Sequence, residues 1–223
     1  MKGSALQILR AGALLAAFAA VGAGLLAGTY WLTREPIDAS ARARLLRELN
    51  AVLPASEYDN ALTTDTVLVS DDRIGGTQTV YRARRDGKPV ALILTVTAAD
   101  GYSGPIELLA GVRVDGSLSG VRVTRHRETP GLGDKIDLRK SDWVLDFTGR
   151  TLDNPDDTGW AVRKDGGIFD QFAGATITPR AVVEAVQRTL QFVADQGDAL
   201  FGAAAVDETP APPPAETLLE APQ

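Results

Sequence analysis

The sequence predicts an α+β protein: a single N-terminal transmembrane helix followed by a mainly antiparallel β domain with flanking helices. Three observations predict this fold class. An uncharged run of 22 residues extends from Ala11 to Leu32, short apolar runs fill residues 66–125, and an amphipathic pattern begins at Pro179. Long uncharged apolar runs are typical of membrane helices. Short apolar runs separated by Asp-Gly pairs are typical of antiparallel hairpins.

The uncharged run lies between Arg10 and Arg34. As a helix it covers about 33 Å, which matches a hydrocarbon core of roughly 30 Å. Tyr30 and Trp31 fall near its end, where interfacial aromatics are common. A cleaved signal peptide is the alternative, but its apolar region usually has about 7–15 residues, and no clear small-x-small site ends this run. We therefore expect an uncleaved anchor. Basic residues on both sides leave its orientation open.

A short amphipathic helix is predicted from Ala39 to Leu53, entered through Pro36-Ile37-Asp38 with Asp38 as a possible cap. Glycine supplies the positive φ that tight hairpin turns need at Asp86-Gly87 and Asp115-Gly116. The apolar runs around those turns predict strands at 67–69, 80–81, 91–96, 108–114 and 121–123.

The C-terminal half is predicted to contain an element at Trp143–Phe147, a turn at 154–157, a strand around Trp160-Ala161-Val162 and a last helix. That helix is predicted from Pro179 to about Ala194, with Thr178 as its N-cap and Pro179 at its first position. The tail has acids and prolines without a base, which is typical of disorder. The predicted division is a tail 1–10, a transmembrane helix 11–32, a helical linker 33–60, a cofactor domain 61–200 and a disordered tail 201–223.

Composition excludes several classes of function. The net charge of −6, with 29 acidic against 23 basic residues, argues against nucleic acid as a partner. The absence of cysteine excludes disulfides, iron–sulfur ligation and thiol chemistry. A single histidine, His126, argues against a catalytic metal site.

The segment Gly174-Ala175-Thr176-Ile177-Thr178 places a glycine, a small residue and two hydroxyls before the predicted helix. Glycine permits close approach of a ligand, and the N-terminus of a helix favours an anion such as phosphate. The alternative is purely structural: Thr178 caps the helix and Thr176 fills a turn. The pattern alone favours this structural interpretation.

Residues 170–176, Asp-Gln-Phe-Ala-Gly-Ala-Thr, resemble the flavinylation motif of the FMN-binding domain that is shared by the G subunit of the Rnf electron-transport complex and the C subunit of the Na⁺-translocating NADH:quinone reductase. The resemblance implies FMN held by a phosphoester bond to Thr176, installed by a separate flavin transferase that recognises Asp170, with Gly174 and Ala175 allowing close approach of the phosphate. Thr178 would lie beside the phosphate. The sequence departs from the motif at Ala173, where the family usually has Ser or Thr.

Other segments resemble the Rnf G subunit in the same order, among them 101–106 and the Glu-Thr-Pro-Gly-Leu-Gly loop at 128–133. The resemblance covers roughly residues 11–194. It implies that this loop borders the flavin, with Glu128, Thr129 and Gly131 near it and Leu132 on one face. Tyr102, Trp143 and Trp160 are candidates for stacking on the ring, although each is more typically a core residue.

The resemblance implies an electron-carrying subunit of an inner-membrane complex that couples electron transfer of the ferredoxin/NAD type to ion translocation. Its partners would be the other membrane subunits, and its FMN domain would lie on the periplasmic side. We see no nicotinamide fingerprint, so the chain would be a redox subunit without a complete activity of its own. Two alternatives remain: the C subunit of the quinone reductase, and a membrane-anchored assembly module with a decayed flavin motif.

Overall fold

The computed structural model describes residues 2–203, without the side chains of residues 2–9 and 33–38. The chain divides into two units at residue 44. Helix α1, Lys2–Val52, is continuous, so the helix predicted from Ala39 is its last part and no helix end occurs at Pro36. Within α1, Arg10–Leu32 is long and apolar enough to cross a membrane, and its large apolar side chains are exposed.

The second unit contains a five-stranded sheet in the order β1-β2-β3-β4-β5, with every neighbouring pair antiparallel. The strands are β1 Thr66–Asp71, β2 Gly76–Arg85, β3 Lys88–Ala98, β4 Ile106–Arg113 and β5 Leu118–Arg125. Each predicted strand of this region lies within one of them, apart from Val114 after the end of β4. The α+β prediction and its antiparallel sheet are confirmed.

The predicted turn between β2 and β3 has the backbone that its residues favour. Asp86 has φ 52° and Gly87 has φ 72°, and Arg85 pairs with Lys88 across the turn. Two consecutive positive φ angles define the type I′ turn, which matches the right-handed twist of the strands it joins. The Asp-Gly pair therefore sets the register of the central hairpin.

The sheet has a core on each face. One face packs against helix α2, Ile177–Gly202, and against a layer of short 3₁₀ segments. The opposite face packs against Leu49, Val52, Leu53 and Leu62. Alternation of side chains along β3 produces both cores, since Leu92 and Leu94 point to the first face and Ala91 and Ile93 to the second.

In the C-terminal half one predicted element is wrong and another has different bounds. No strand occurs at Trp160-Ala161-Val162; instead a 3₁₀ helix at Asp157–Gly159 leads to an isolated bridge between Val162 and Phe169. The apolar run is buried in an irregular layer, which periodicity does not distinguish from a short strand. Helix α2 is longer than predicted, and the part of the predicted tail after residue 203 lies outside the described residues.

Four more 3₁₀ segments complete the described chain outside the sheet: Ala55–Glu57, Asp72–Ile74, Gly133–Ile136 and Arg163–Asp165. A fifth, Trp143–Phe147, corresponds to the element predicted there. Its Trp143, Val144 and Phe147 are buried. This segment lies beneath the loop that precedes α2.

Candidate functional site at the start of helix α2

The loop before α2 is a closed turn. Phe172 and Ala175 form an isolated antiparallel bridge, and the Ala175 amide donates to the Phe172 carbonyl at 3.0 Å. Gly174 has φ 80°, a conformation that glycine adopts without a Cβ penalty. Phe172 is 6% exposed and anchors the turn in the core. The turn therefore presents Ala173 and Gly174 outward on a buried aromatic base.

Asp170 begins this turn and is held at two points. Its carbonyl accepts a hydrogen bond from Trp143 Nε1 at 2.8 Å. Its carboxylate pairs with Arg163 at 3.0 Å, and both side chains are more than half exposed. The backbone of Asp170 is thus fixed from the core, whereas its carboxylate stays at the surface.

The two hydroxyls near the start of α2 have different environments. Thr176 occupies the N-cap position with α-helical φ and ψ and makes no side-chain cap hydrogen bond. It is half-buried, and its hydroxyl forms no hydrogen bond within residues 2–203. Thr178 is fully buried, and its Oγ1 donates to Glu128 Oε2 at 2.5 Å.

The prediction that Thr178 caps α2 was therefore wrong. The helix begins at Ile177, two residues before the predicted start at Pro179, and Thr178 lies in its first turn. A cap needs a residue outside the helix whose oxygen accepts from the backbone. Thr178 instead uses its hydroxyl as a donor to an acid 50 residues away. Pro179, the third helical residue, still lies in the first turn, where its missing N–H costs nothing.

The loop of residues 128–134 lies against this turn. Glu128 is 5% exposed, and its second oxygen, Oε1, accepts from the Ser103 amide at 3.0 Å. The carbonyl of Thr129 accepts from the amides of Leu132 and Gly133, each at 3.1 Å. Gly131, with φ 78°, donates its amide to Asp134 at 2.7 Å. These bonds close the loop on itself.

Leu132 connects the loop to the turn before α2. A Cβ built on Gly174 would lie 3.6 Å from Leu132 Cδ2, so the two residues are neighbours. Leu132 remains 43% exposed, and Ile177 is 45% exposed. Apolar side chains thus flank the exposed Gly174 and the half-buried Thr176, which is the environment that an aromatic ligand with a polar tether would need.

Of the three aromatic residues that the sequence suggests for stacking on the ring, two are buried in the core and one is exposed. Trp143 and Trp160 are 5% and 3% exposed, and both belong to the core. Trp143 meets Phe172 edge to face at a centroid distance of 5.2 Å. Tyr102 is 69% exposed. His126 accepts a hydrogen bond at its Nδ1 from the Glu128 amide at 3.1 Å, so it supports the loop.

Charges on the first turn of α2 are paired at the surface. Arg180 donates Nε and Nη2 hydrogen bonds to the two carboxylate oxygens of Asp165 at 2.7 and 2.9 Å. The hydrogen bond from Arg180 lowers the pKa of the Asp165 carboxyl below its usual range. Because both side chains are about one-third or more exposed, the pair adds little to stability.

The structure brings together most of the residues that the sequence singled out. Its contacts connect Gly174 to Leu132 and Thr178 to Glu128. Sequence reasoning missed the supporting contacts of Ser103, Arg163 and the indole of Trp143. Ser103 acts through its backbone, so its side chain carries no signal for this role.

Comparisons with known proteins identify the family. Residues 101–191 match the model of the FMN-binding domain, and residues 1–52 match the model of the RnfG N-terminal region. The G subunit of the ion-translocating oxidoreductase complex of Vibrio cholerae is 52% identical over 190 residues, covering 83% of this chain and 90% of that protein. The chain belongs to this G-subunit family. The corresponding protein of Escherichia coli is 51% identical over 182 residues, 81% of this chain and 88% of that protein. That of Pseudoalteromonas atlantica is 49% identical over 199 residues, 88% and 93%.

Membership of the G-subunit family confirms the resemblance drawn from the motifs, and the FMN-binding domain supports FMN as the cofactor. The site at the start of α2 fits that cofactor. Gly174 is exposed and carries no side chain, and the hydroxyl of Thr176, two residues on, has no hydrogen bond within the described residues. The 26-residue helix α2 directs the positive end of its dipole at this place, which suits a phosphate.

Proposed function

We propose that this chain is the FMN-bearing, electron-carrying subunit of a membrane-bound ion-translocating oxidoreductase complex, with FMN joined by its phosphate to Thr176. The observation that carries the proposal is the contrast between the two threonines. Thr178 is fully buried and already donates to Glu128, whereas the half-buried Thr176 has a hydroxyl without a hydrogen bond in the described part of the chain. Thr176 is the hydroxyl that can act as the acceptor.

FMN, when bound, supplies the capacity to accept and release electrons, and the protein supplies its position and surroundings. Thr176 would hold the phosphate at the N-terminus of α2, and Gly174 and Ala175 would admit it closely. Leu132 and Ile177 would border the apolar ring, with Thr129 and Gly131 forming the nearby loop backbone. A covalent tether keeps an electron carrier from diffusing away between transfers.

Ala173 does not weaken this proposal. It departs from the family motif, but its side chain is exposed on the outside of the turn. A hydroxyl at an exposed position usually bonds with water, so its absence leaves no buried group unsatisfied. The interpretation of the chain as an assembly module with a decayed motif therefore gains no support from the fold of the turn.

The partners proposed are the other membrane subunits of the complex, together with a flavin transferase that recognises Asp170. The exposed carboxylate of Asp170 suits recognition by another protein. We place α1 as an uncleaved anchor in the inner membrane and the FMN domain, about residues 61–200, on the periplasmic side. Electron transfer of the ferredoxin/NAD type is the coupling that we propose for the complex.

Mass spectrometry tests the attachment. The full-length chain co-expressed with a flavin transferase should carry one FMN, located on the peptide containing Thr176. Thr176→Val should abolish the added mass. Thr189→Val is the matched control, because Thr189 lies on the same helix and its hydroxyl donates to the Ala185 carbonyl, away from segment 170–176. An unmodified wild-type chain under these conditions contradicts the proposal.

The absence of native cysteine allows a clean test of orientation. Ala99 is exposed in the turn after β3, so Ala99→Cys introduces a single labelled site. A membrane-impermeant maleimide should label it in intact spheroplasts. Labelling confined to inverted membrane vesicles would place the domain on the cytoplasmic side instead.

A further inference from the structure

The carboxylate of Glu128 joins three separate segments of the chain. Oε1 accepts from the backbone amide of Ser103, in the turn after β3, at 3.0 Å. Oε2 accepts from the hydroxyl of Thr178, in the first turn of α2, at 2.5 Å. Its own backbone begins the loop that carries Leu132. One side chain therefore connects the turn after β3, the loop of residues 128–134 and the first turn of α2.

Two glycines enclose this carboxylate. A Cβ on Gly133 would lie 2.9 Å from both Glu128 Oε2 and Thr178 Oγ1. A Cβ on Gly101 would lie 3.0 Å from Glu128 Oε1 and still closer to the carbonyl of Gly104. Neither glycine has a positive φ. The close packing around the carboxylate, and not the backbone conformation, therefore explains why glycine occupies both positions. Glu128 is 5% exposed, so its carboxylate is largely enclosed by these neighbours.

We propose that Glu128 is a positioning residue that holds Thr176 in place for flavin attachment through its hydrogen bond with Thr178, and that it does not contact the flavin. This inference rests on the proposed function of Thr176. The geometry that carries it is the shared helical turn: the Thr176 carbonyl accepts from the Arg180 amide at 3.3 Å, and Thr178 lies between them. Fixing Thr178 therefore fixes Thr176.

The positioning role explains why the chain buries an acidic side chain at Glu128, since burial of an acid without partners would destabilise the fold. Burying a carboxylate is unfavourable unless hydrogen bonds compensate it, and here a hydroxyl and an amide do so. The same bonds make the arrangement sensitive, because removing one donor leaves a buried oxygen of a charged group unsatisfied. Leu132 lies in the same loop as Glu128, so the bond also joins this loop to the first turn of α2.

The first experiment compares three variants of the full-length chain. Thr178→Val removes the donor at constant volume, Thr178→Ser restores it, and Thr189→Val removes a hydroxyl elsewhere on α2. Thr178→Val should slow flavinylation of Thr176 roughly tenfold, the equivalent of losing one hydrogen bond to a charged group. Thr178→Ser and Thr189→Val should stay within about twofold of wild type on the same scale.

A second measurement needs no flavin. Hydrogen–deuterium exchange of the unflavinylated chain should be faster in the peptide 170–178 for Thr178→Val than for wild type, and unchanged for Thr189→Val. Gly133→Ala provides an independent perturbation, since its Cβ would push between Glu128 Oε2 and Thr178 Oγ1. It should have the same two effects, which keeps the inference testable if Thr178→Val does not fold.

The outcomes separate the inference from the proposed function. The positioning role is overturned if Thr178→Val and Gly133→Ala both show the wild-type flavinylation rate and the wild-type hydrogen–deuterium exchange of peptide 170–178. This holds even when the wild-type chain is fully flavinylated. Glu128→Gln keeps an acceptor for the Ser103 amide. If this variant changes the visible circular dichroism of the attached flavin and Thr178→Val does not, Glu128 contacts the flavin directly. A wild-type chain that accepts no flavin contradicts the proposed function, whereas the exchange experiment still reports on Glu128.

Discussion

The indole of Trp143 donates its Nε1 hydrogen to the backbone carbonyl of Asp170 at 2.8 Å. The bond joins a buried 3₁₀ segment to the first residue of segment 170–176, which resembles a flavinylation motif. The same ring packs edge to face on Phe172, which anchors the turn. Trp143 therefore fixes the backbone at the start of segment 170–176 from the core.

Trp143→Phe should keep part of the aromatic packing and lose this hydrogen bond. We expect a loss of about 1–3 kcal/mol in the free energy of unfolding, from a smaller ring and an unsatisfied carbonyl, together with slower flavinylation. Urea unfolding and mass spectrometry measure the two effects. Trp160→Phe is the control, because Trp160 Nε1 donates to Thr151, outside the motif. Equal flavinylation rates in both variants would contradict a role for the Asp170 contact.

Much of the fold followed from local patterns in the sequence. The Asp86-Gly87 turn was predictable because the central hairpin needs two consecutive positive φ angles, and the membrane-length helix was predictable from its uncharged run. The strand predicted at Trp160 was wrong, since burial there comes from an aromatic cluster with Phe147 and Phe169 and involves no ladder.

The site was predictable in its residues and less so in its contacts. Motif resemblance identified Glu128 and Thr178, but nothing local relates residues 50 positions apart, so their hydrogen bond could not be foreseen. Thr178 precedes a proline, which is a pattern typical of a helix N-cap. In the structure its hydroxyl donates to Glu128 and does not cap the helix. Long-range hydrogen bonds of this kind override local capping preferences.

The C-terminal end of α2 is bound by two arginines of β2. Arg82 donates to the carbonyl of Leu200 at 3.1 Å and Arg84 to that of Phe201 at 2.6 Å, and Asp65 pairs with both arginines. Positive charge at the C-terminus of a helix compensates its dipole. Asp65 is thus the acid that compensates the buried guanidinium of Arg82.

Asp65→Asn should lower the free energy of unfolding by roughly 2–3 kcal/mol, less than for a fully buried pair because Asp65 is about one-fifth exposed. Chemical denaturation of the full-length chain in detergent measures it. The control Glu107→Gln breaks an exposed pair with Arg125 and should cost at most about 0.5 kcal/mol. Similar losses in the two variants would show that the Asp65 cluster has no special contribution.

The free energy of unfolding should depend on pH in the acidic range because of Glu57. Two hydrogen bonds from Arg113, each 3.0 Å, lower the pKa of Glu57 below its usual value of about 4.5. Because the folded pKa lies below the unfolded one, the contribution is complete above the unfolded pKa and is lost as pH falls through the folded pKa. We expect Glu57→Gln to be less stable than wild type at pH 7 by about 1 kcal/mol or less, since the pair is partly exposed.

The difference between Glu57→Gln and wild type should shrink as the pH falls through the lowered pKa of folded Glu57, because the side chain then becomes protonated in both the folded and the unfolded state. Unfolding free energies at several pH values measure this trend. In an Arg113→Met background the trend should be largely absent, because the partner that lowers the pKa is gone. A pH dependence that persists in that background would assign the effect to another group.

Gly174 should matter for attachment more than for stability. Its φ of 80° disfavours any residue with a Cβ, although the Cβ itself would make only an ordinary contact with Leu132 at 3.6 Å. Gly174→Ala should therefore cost about 1–2 kcal/mol of unfolding free energy from backbone strain. Gly116→Ala, at φ 81° in open space in the β4–β5 turn, should cost a similar amount. Only Gly174→Ala should also reduce the fraction of chains that carry FMN, as measured by intact-mass spectrometry at equal expression. An equal reduction in Gly116→Ala would show that lost stability causes the effect. Gly174 would then have no specific role in the site.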